Sequence, residues 1–270
     1  MTEPQGLGEM RDLLSRHGLT PRKALGQHFL SDPNIVRRIV RLSEVDESSN
    51  VLEIGAGTGT LTRGLADTGA RVIAYEVDQK LAPLLAESVG DLDNVEVRME
   101  DAASLDPAEL TGEWTVVANL PYHVGTPLLL DLLRKAPAVK RFIVMVQREV
   151  ADRFTAKPGN KQYGLPTVVI DLHAGAKFAF AVPPQVFFPP PQVASAVVTI
   201  ERRSEVSDLS EAAIELAAAG FSQRRKMLRS SLKTALADPV AVCEAAGIDP
   251  TLRAEALAAA DWLALAEVAS

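Results

Sequence analysis

Val51-Leu52-Glu53-Ile54-Gly55-Ala56-Gly57-Thr58-Gly59-Thr60-Leu61 runs from an apolar segment, through three glycines at alternate positions, into a helix-favouring stretch. Glycines in such a place let a backbone approach a ligand closely, and a helix start presents unpaired N–H groups. Outward from this stretch the same grammar repeats. Short apolar runs at 51–54, 71–77, 95–98, 114–118 and 141–146 alternate with helical stretches at 61–68, 79–89 and 127–135. That alternation marks βαβ units, so the expectation is an α/β domain, doubly wound on a parallel sheet. Two further runs, 167–173 and 194–201, read as strands added antiparallel at the sheet edge.

Ahead of the sheet, a helix over 9–17 ends at Gly18 with Pro21 beyond it as a stop. Gly26-Gln27-His28-Phe29-Leu30 then forms a loop leading to Asp32 as N-cap and Pro33 as first residue of a helix to about residue 42. From residue 209 strand patterns vanish, and Ala, Leu and Glu dominate with breaks at Asp238-Pro239, Gly247 and Asp249-Pro250. The expected division is a domain over 1–204 with an N-terminal helical extension, and a small all-helical domain over 205–270.

Of 270 residues, 47% are hydrophobic and 23% charged, which suffices for a substantial core. A single cysteine, Cys243, excludes an internal disulfide framework, so packing carries the stability and a reducing, cytoplasmic setting is expected. No apolar run is long enough to span a bilayer, so no membrane partner is expected. The net charge of −7 argues against non-specific nucleic-acid binding by the whole surface. Basic residues nevertheless cluster at Arg22-Lys23, at Arg37-Arg38-Arg41, and at Arg224-Arg225-Lys226 with Arg229 and Lys233. In the last cluster, residues 226, 229 and 233 fall on one helical face while Leu228, Leu232 and Ala235 fall on another.

The glycine loop carries further information. The nicotinamide fingerprint requires glycine at its sixth position, where this chain has Thr60, which disfavours a dehydrogenase. Glu76 ends the second strand 21 residues after Gly55, close to the offset of a ribose-binding acid. Glu100-Asp101-Ala102 follows the third strand, where a carboxylate can accept a bond from an exocyclic adenine amine. The glycine loop resembles the acidic-x-Gly-x-Gly-x-Gly loop of S-adenosylmethionine-dependent methyltransferases. Acids at the ends of three successive strands strengthen that resemblance.

The fourth strand runs into Asn119-Leu120-Pro121-Tyr122. By itself Asn near Pro is a turn signal. In this position the quartet combines a side-chain amide, backbone carbonyls and an aromatic face, a set able to hold a planar amine. The amine of adenine N6 is a poor nucleophile because its lone pair is delocalised into the ring. Two acceptors aimed at its N–H groups, the Asn119 side-chain oxygen and the carbonyl of Leu120 or Pro121, would draw it toward tetrahedral geometry.

The order of motifs resembles the ribosomal RNA adenine N6 dimethyltransferases, and within them the small-subunit (16S) type. The resemblance covers nearly the whole chain. It includes Gly26–Leu30, with His28 where Asn is more usual, Met145-Val146-Gln147-Arg148-Glu149-Val150-Ala151 and Tyr163-Gly164-Leu165. It also includes the proline-rich Val182–Pro191 and Phe221-Ser222-Gln223-Arg224-Arg225-Lys226-Met227-Leu228.

The resemblance implies a Rossmann-like class I methyltransferase sheet, S-adenosyl-L-methionine as cofactor and no metal. It implies transfer to two adjacent adenosines in the 3′-terminal hairpin of 16S rRNA, within an immature small subunit, by a monomer. The implied cofactor-binding residues are Gln27, His28, Leu30, Glu53, Gly55, Gly57, Gly59, Glu76, Val77, Asp101, Ala102 and Asn119. The implied catalytic residues are Asn119, Leu120, Pro121, Tyr122 and Phe187. Precedent favours the Pro121 carbonyl as second acceptor and has Tyr122 stack on the base. Phe187, on a loop stiffened by prolines, is the candidate for a second aromatic clamp; a core packing role is the other reading. Arg22, Lys23, Arg148, Arg224, Arg225, Lys226 and Arg229 are the candidate RNA contacts.

Three other functions use similar parts. They are a large-subunit rRNA methyltransferase, a DNA adenine methyltransferase, and an assembly factor that keeps the fold without the chemistry. The motif at 221–228 favours the small-subunit enzyme over the first, the helical tail and negative charge disfavour the second, and intact Glu53, Glu76, Asp101 and Asn119 disfavour the third.

Overall fold

The computed structural model of the chain describes residues 4–22, 26–121 and 125–270. In chain order the elements are α1 Leu7–Arg16, β1 Phe29–Leu30, α2 Pro33–Ser43, β2 Asn50–Ile54, α3 Thr60–Ala66 and β3 Arg71–Tyr75. They continue with α4 Ala82–Val89, β4 Val95–Arg98, β5 Trp114–Asn119, α5 Gly125–Lys135, β6 Val139–Gln147, α6 Arg148–Phe154 and α7 Leu165–His173. The rest are β7 Ala174–Val182, β8 Phe187–Phe188, β9 Ser195–Arg202, α8 Ser210–Ser222, α9 Leu228–Ser231, α10 Pro239–Ala245 and α11 Ala259–Ala269. Among the described residues no helix is long and apolar enough to cross a membrane.

The chain divides into two compact units, 1–151 with 177–201, and 152–176 with 202–270. The first holds a seven-stranded sheet in the order β4-β3-β2-β5-β6-β9-β7. Strands β4 to β6 are parallel. Val51, Val72, Val117 and Ile143 are fully buried, as expected for parallel strands covered by helices on both faces. Each such side chain contributes about 1.5–3 kcal/mol of burial free energy. The register aligns Ile54, Tyr75 and Ala118 across β2, β3 and β5, so the loops that leave these strands emerge at one edge. The switch in strand order falls at β2, between β3 and β5, which is where α/β sheets open a crevice.

α2 begins as its sequence dictates. The Asp32 side chain accepts from Asn34 N–H at 2.8 Å and Ile35 N–H at 3.4 Å, and Pro33 occupies the first turn. Val36 and Ile39 are buried while Arg37, Arg38 and Arg41 face solvent.

The sheet edge departs from expectation. Residues 167–173, read as a strand, lie in α7. A short apolar run does not distinguish a buried helix from a buried strand. Here Gly164 sits extended ahead of the helix and Pro166 in its first turn, which favours a helix start. The real edge strand is β7, whose Gly, Ala and Lys positions carry little strand signal. β9 lies within one residue of the expected run and pairs antiparallel with β6. The proline-rich loop contains one 3-10 turn, Pro184–Val186, followed by β8, which pairs with β1.

The second unit gathers α7 and α8 to α11, with 152–176 joining the C-terminal helices. Trp262 is fully buried and packs against Phe221 at 6.2 Å, and Phe221 against Tyr163 at 6.1 Å.

Candidate active site

A cleft of about 830 Å³, including its open mouth, lies at the edge where β2, β3 and β5 end. Its wall begins at the glycine loop. Gly55, Gly57 and Gly59 have φ of 83°, 60° and 80°, all in the left-handed region. At Gly57 a Cβ would meet the Phe29 ring at 3.1 Å, so the backbone there is bare because nothing larger fits. Gly55 and Gly57 line the cleft, whereas Gly59 does not: a Cβ on it would meet Ser88 Oγ at 2.8 Å, so it serves close packing of α4.

Glu76 is 7% exposed and lines the cleft. Its Oε2 accepts from Gly57 N–H at 2.8 Å and its Oε1 from Asp78 N–H at 2.8 Å. Burial raises its pKa from the ordinary carboxylate range, against the effect of those two N–H donors. A carboxylate has about four acceptor positions, so each oxygen keeps a lone pair for a ligand hydroxyl. Beside it Val77 is 55% exposed, an apolar side chain held open where a flat ring can rest. Asp101 Oδ1 accepts from Ala103 N–H at 2.9 Å, which fixes the carboxylate and leaves Oδ2 available to an amine; Ala102 lies buried next to it.

On the other side, the Asn119 amide Nδ2 donates to the His28 carbonyl at 3.2 Å. That bond uses one of the two amide N–H groups and fixes which end of the amide is the acceptor, Oδ1, in a residue lining the cleft. Leu120 and Pro121 also line it. The Pro121 carbonyl accepts from Gly125 N–H at 2.9 Å, at the start of α5, and retains a second lone pair. Tyr122 lies outside the described residues.

Gln27 is held at both ends of its amide. Oε1 accepts from Arg22 N–H at 2.8 Å and Nε2 donates to Asp78 Oδ2 at 2.8 Å. His28 Nδ1 bonds the Pro189 carbonyl at 2.7 Å, so the departure from Asn at this position ties the first loop to the proline-rich one. Leu30 is 5% exposed and pairs with Phe187 across β1 and β8. Phe187 is itself only 3% exposed, belongs to the apolar core and does not line the cleft.

Behind the glycine loop a smaller cavity of about 310 Å³ shares Phe29, Gly55, Gly57 and Asn119 with the main cleft. Glu53 and Leu30 line this cavity and not the cleft itself. Glu53 is 1% exposed, and among the described residues neither carboxylate oxygen has a hydrogen-bond partner. Burial pushes its pKa up to about 8, and the nearby Glu76 adds to the rise; the Thr62 hydroxyl opposes it without making a bond of normal geometry. A buried carboxyl with no partner is costly unless a ligand completes it. The donor set fits S-adenosylmethionine: bare glycine backbone, a ribose acid, an adenine-side acid, an apolar face and an orphaned carboxyl toward which an ammonium can be drawn.

A sequence model of ribosomal RNA adenine dimethylases matches residues 18–270. The chain belongs to this dimethylase family. It is 44% identical over 265 residues to the ribosomal RNA small subunit methyltransferase A of Phenylobacterium zucineum, spanning 97% of this chain and 92% of that protein. It is 45% identical over 276 residues to the protein of the same name from Rhodospirillum rubrum, spanning 98% and 93%. Among solved structures, a dimethyladenosine transferase from Plasmodium falciparum superposes with a TM-score of 0.76 at 25% identity, over 88% of this chain and 96% of that one. The 23S rRNA methyltransferase ErmE superposes with a TM-score of 0.70 at 27% identity, over 89% and 99%.

In this dimethylase the candidate RNA contacts divide. Arg22 pairs with Asp78 at 3.0 Å, beside Gln27, and so braces the first loop. Arg148 lies over the Phe178 ring at 4.6 Å. Arg224 donates from Nη2 to the carbonyls of Lys161 at 2.6 Å and Tyr163 at 2.7 Å, and from Nε to Glu255 at 3.1 Å. It pins a loop of the second unit. Arg225, Lys226 and Arg229 are exposed. They do not share one long helix: 223–226 is turn and bend, Met227 bridges to Arg253, α9 spans four residues, and Ala235 is exposed, although Leu228 and Leu232 are fully buried as expected. Lys23 lies outside the described residues. Sequence reading missed Asp78 and Leu128; the first holds Gln27 and Arg22, and the second lines the cleft.

Proposed function

We propose that the chain transfers methyl groups from S-adenosyl-L-methionine to N6 of two adjacent adenosines in the 3′-terminal hairpin of 16S rRNA, giving N6,N6-dimethyladenosine. The observation that carries the reading is Asn119, which lines the cleft and whose amide is oriented by an N–H bond to the His28 carbonyl, leaving its oxygen as the free acceptor for a substrate amine. When bound, the cofactor supplies an electrophilic methyl on a sulfonium centre. Gly55, Gly57, Glu76, Val77 and Asp101 bind and orient it, with Glu53 behind the loop.

The target base leaves its stack to reach the cleft. Asn119 Oδ1 and the second lone pair of the Pro121 carbonyl accept hydrogen bonds from the N6 amine, localising its lone pair on nitrogen. They also hold the amine at the separation and angle an in-line displacement requires. Once N6 carries the methyl it is acidic enough to release its extra proton to water, so the chain need provide no general base. Tyr122 is assigned the stacking role from its place in the quartet. The second methylation requires the two acceptors to hold an amine with one N–H left.

The working setting is an immature small ribosomal subunit in the cytoplasm, met by a monomer whose catalytic residues lie in 1–204 and whose RNA-gripping residues lie chiefly in 205–270. Arg225, Lys226 and Arg229 are exposed cations suited to phosphates, which give register but not sequence choice. The test is methylation of under-methylated small subunits beside large subunits and duplex DNA, with labelled cofactor. Label confined to dimethyladenosine in small subunits supports the reading; label in large subunits or DNA, or none at all, overturns it.

A further inference from the structure

Residues 1–17 precede the stretch that the family model matches, yet one of their side chains reaches the cofactor loop. Gln5 is 1% exposed. Its Oε1 accepts from the Thr60 hydroxyl at 3.0 Å and its Nε2 donates to Ser88 Oγ at 2.8 Å. Thr60 Oγ1 also lies 3.1 Å from Thr58 Oγ1. A hydroxyl has one proton. Since the Thr60 proton goes to Gln5, Thr58 must donate to Thr60, and the chain of bonds runs one way from the glycine loop through Gln5 to α4.

The start of α3 depends on this chain. Gly59 is its N-cap and offers no side-chain bond, and Thr58 and Thr60 flank it at 2% and 3% exposure. Buried hydroxyls without partners turn to local backbone groups and compete with the helix start. Gln5 removes that competition and joins the loop to Ser88, the residue against which Gly59 packs. The rest of the extension holds Gln5 in place. Met10, Leu13 and Leu14 are buried, Glu9 pairs with Arg63 of α3 at 2.7 Å, and Arg16 and His17 pair with Glu87 of α4. α1 thus straps the two helices that follow the strands bearing the glycine loop and Glu76.

We propose that Gln5 is a positioning residue for the cofactor loop, acting through Thr60 and Thr58 to hold the backbone that Gly55 and Gly57 present to S-adenosylmethionine. This rests on the cofactor assignment above. Gln5→Met keeps the bulk and removes the hydrogen bonds, and Thr60→Val removes the other end of the same link. Each raises the Kd for S-adenosylmethionine about tenfold, as expected for a buried hydrogen bond, while kcat at saturating cofactor stays within about twofold. Because they break one link, the double variant binds no more weakly than the worse single. Glu9→Ala, which loosens α1 elsewhere, lowers the melting temperature but leaves that Kd within about twofold.

Isothermal titration of the full chain with S-adenosylmethionine reads all four. Wild-type binding tests the cofactor assignment separately, and its absence sinks both readings. With wild-type binding intact, an unchanged Kd for Gln5→Met, additive effects in the double variant, or an equal loss in Glu9→Ala overturns the proposal. If Gln5→Met does not fold, Ser88→Ala on the partly exposed face of α4 decides: a Kd raised about threefold supports the link, and an unchanged one overturns it.

Discussion

The Asn119 side chain donates a hydrogen bond that orients its amide, and its partner lies 91 residues earlier in the chain. The sequence marks the quartet as a candidate amine-holding set; the His28 carbonyl that orients Asn119 was not legible there, since only the fold brings the two loops together. Asn119→Ala removes an acceptor used as N6 becomes nucleophilic, so single-turnover methylation should fall by at least about a hundredfold while particle binding is retained. A smaller loss means that the carbonyl acts alone. Glu53 was legible as the acid of the glycine loop, but its burial without a partner was not. It is an acid whose folded pKa, about 8, exceeds the ordinary 4.5, so the folded chain holds the proton more tightly than the unfolded one. Its stabilising effect is full below about 4.5 and declines as pH rises through about 8, with a slope of at most about 1.4 kcal/mol per pH unit. Thermal melts of the ligand-free protein should therefore show stability falling across this window, and Glu53→Gln should flatten the profile. Parallel profiles for the two proteins contradict the account.

At the scale of elements, the glycine loop and the helix starts were read correctly because their signals are local: φ-permissive glycines, Asp32 before Pro33, acids at strand ends. The errors fell where locality fails. The run Thr167 to His173 is buried at every position but Asp171, and burial on nearly all sides suits helix and strand alike. β7 is recognisable only from its neighbour β9. Gly57→Ala tests the loop: its φ of 60° and the Phe29 ring 3.1 Å away oppose a Cβ, with a left-handed penalty of roughly 1–2 kcal/mol. Cofactor affinity, measured by titration, should fall by tenfold or more, as about 1.4 kcal/mol implies. A normal affinity means the loop is not the binding wall. In the second unit, the basic run is two things in one motif. Arg224→Ala, which strips two carbonyls of their donor, should lower stability by about 1–3 kcal/mol. Arg225→Ala should leave the melting temperature unchanged and reduce the salt dependence of RNA binding by about one ion. If the two variants exchange these phenotypes, the division is wrong.

For the whole molecule, the net charge of −7 and the exposed Arg225, Lys226 and Arg229 fit the proposal of a protein that avoids nucleic acid in general and grips it in one place. The fold places the glycine loop, Glu76, Asp101 and Asn119 around one cleft, which the order of strands made predictable. The fold does not encode which RNA is bound or how many methyls are added, because those choices depend on how a structured particle presents its adenosines. The most direct test maps the methylated nucleotides after incubating the purified protein and S-adenosylmethionine with small subunits lacking the modification. The account predicts N6,N6-dimethyladenosine at two adjacent positions in the 3′-terminal hairpin, and no product with Asn119→Ala. Monomethyladenosine alone, product elsewhere in the RNA, or unchanged product from the variant would contradict it.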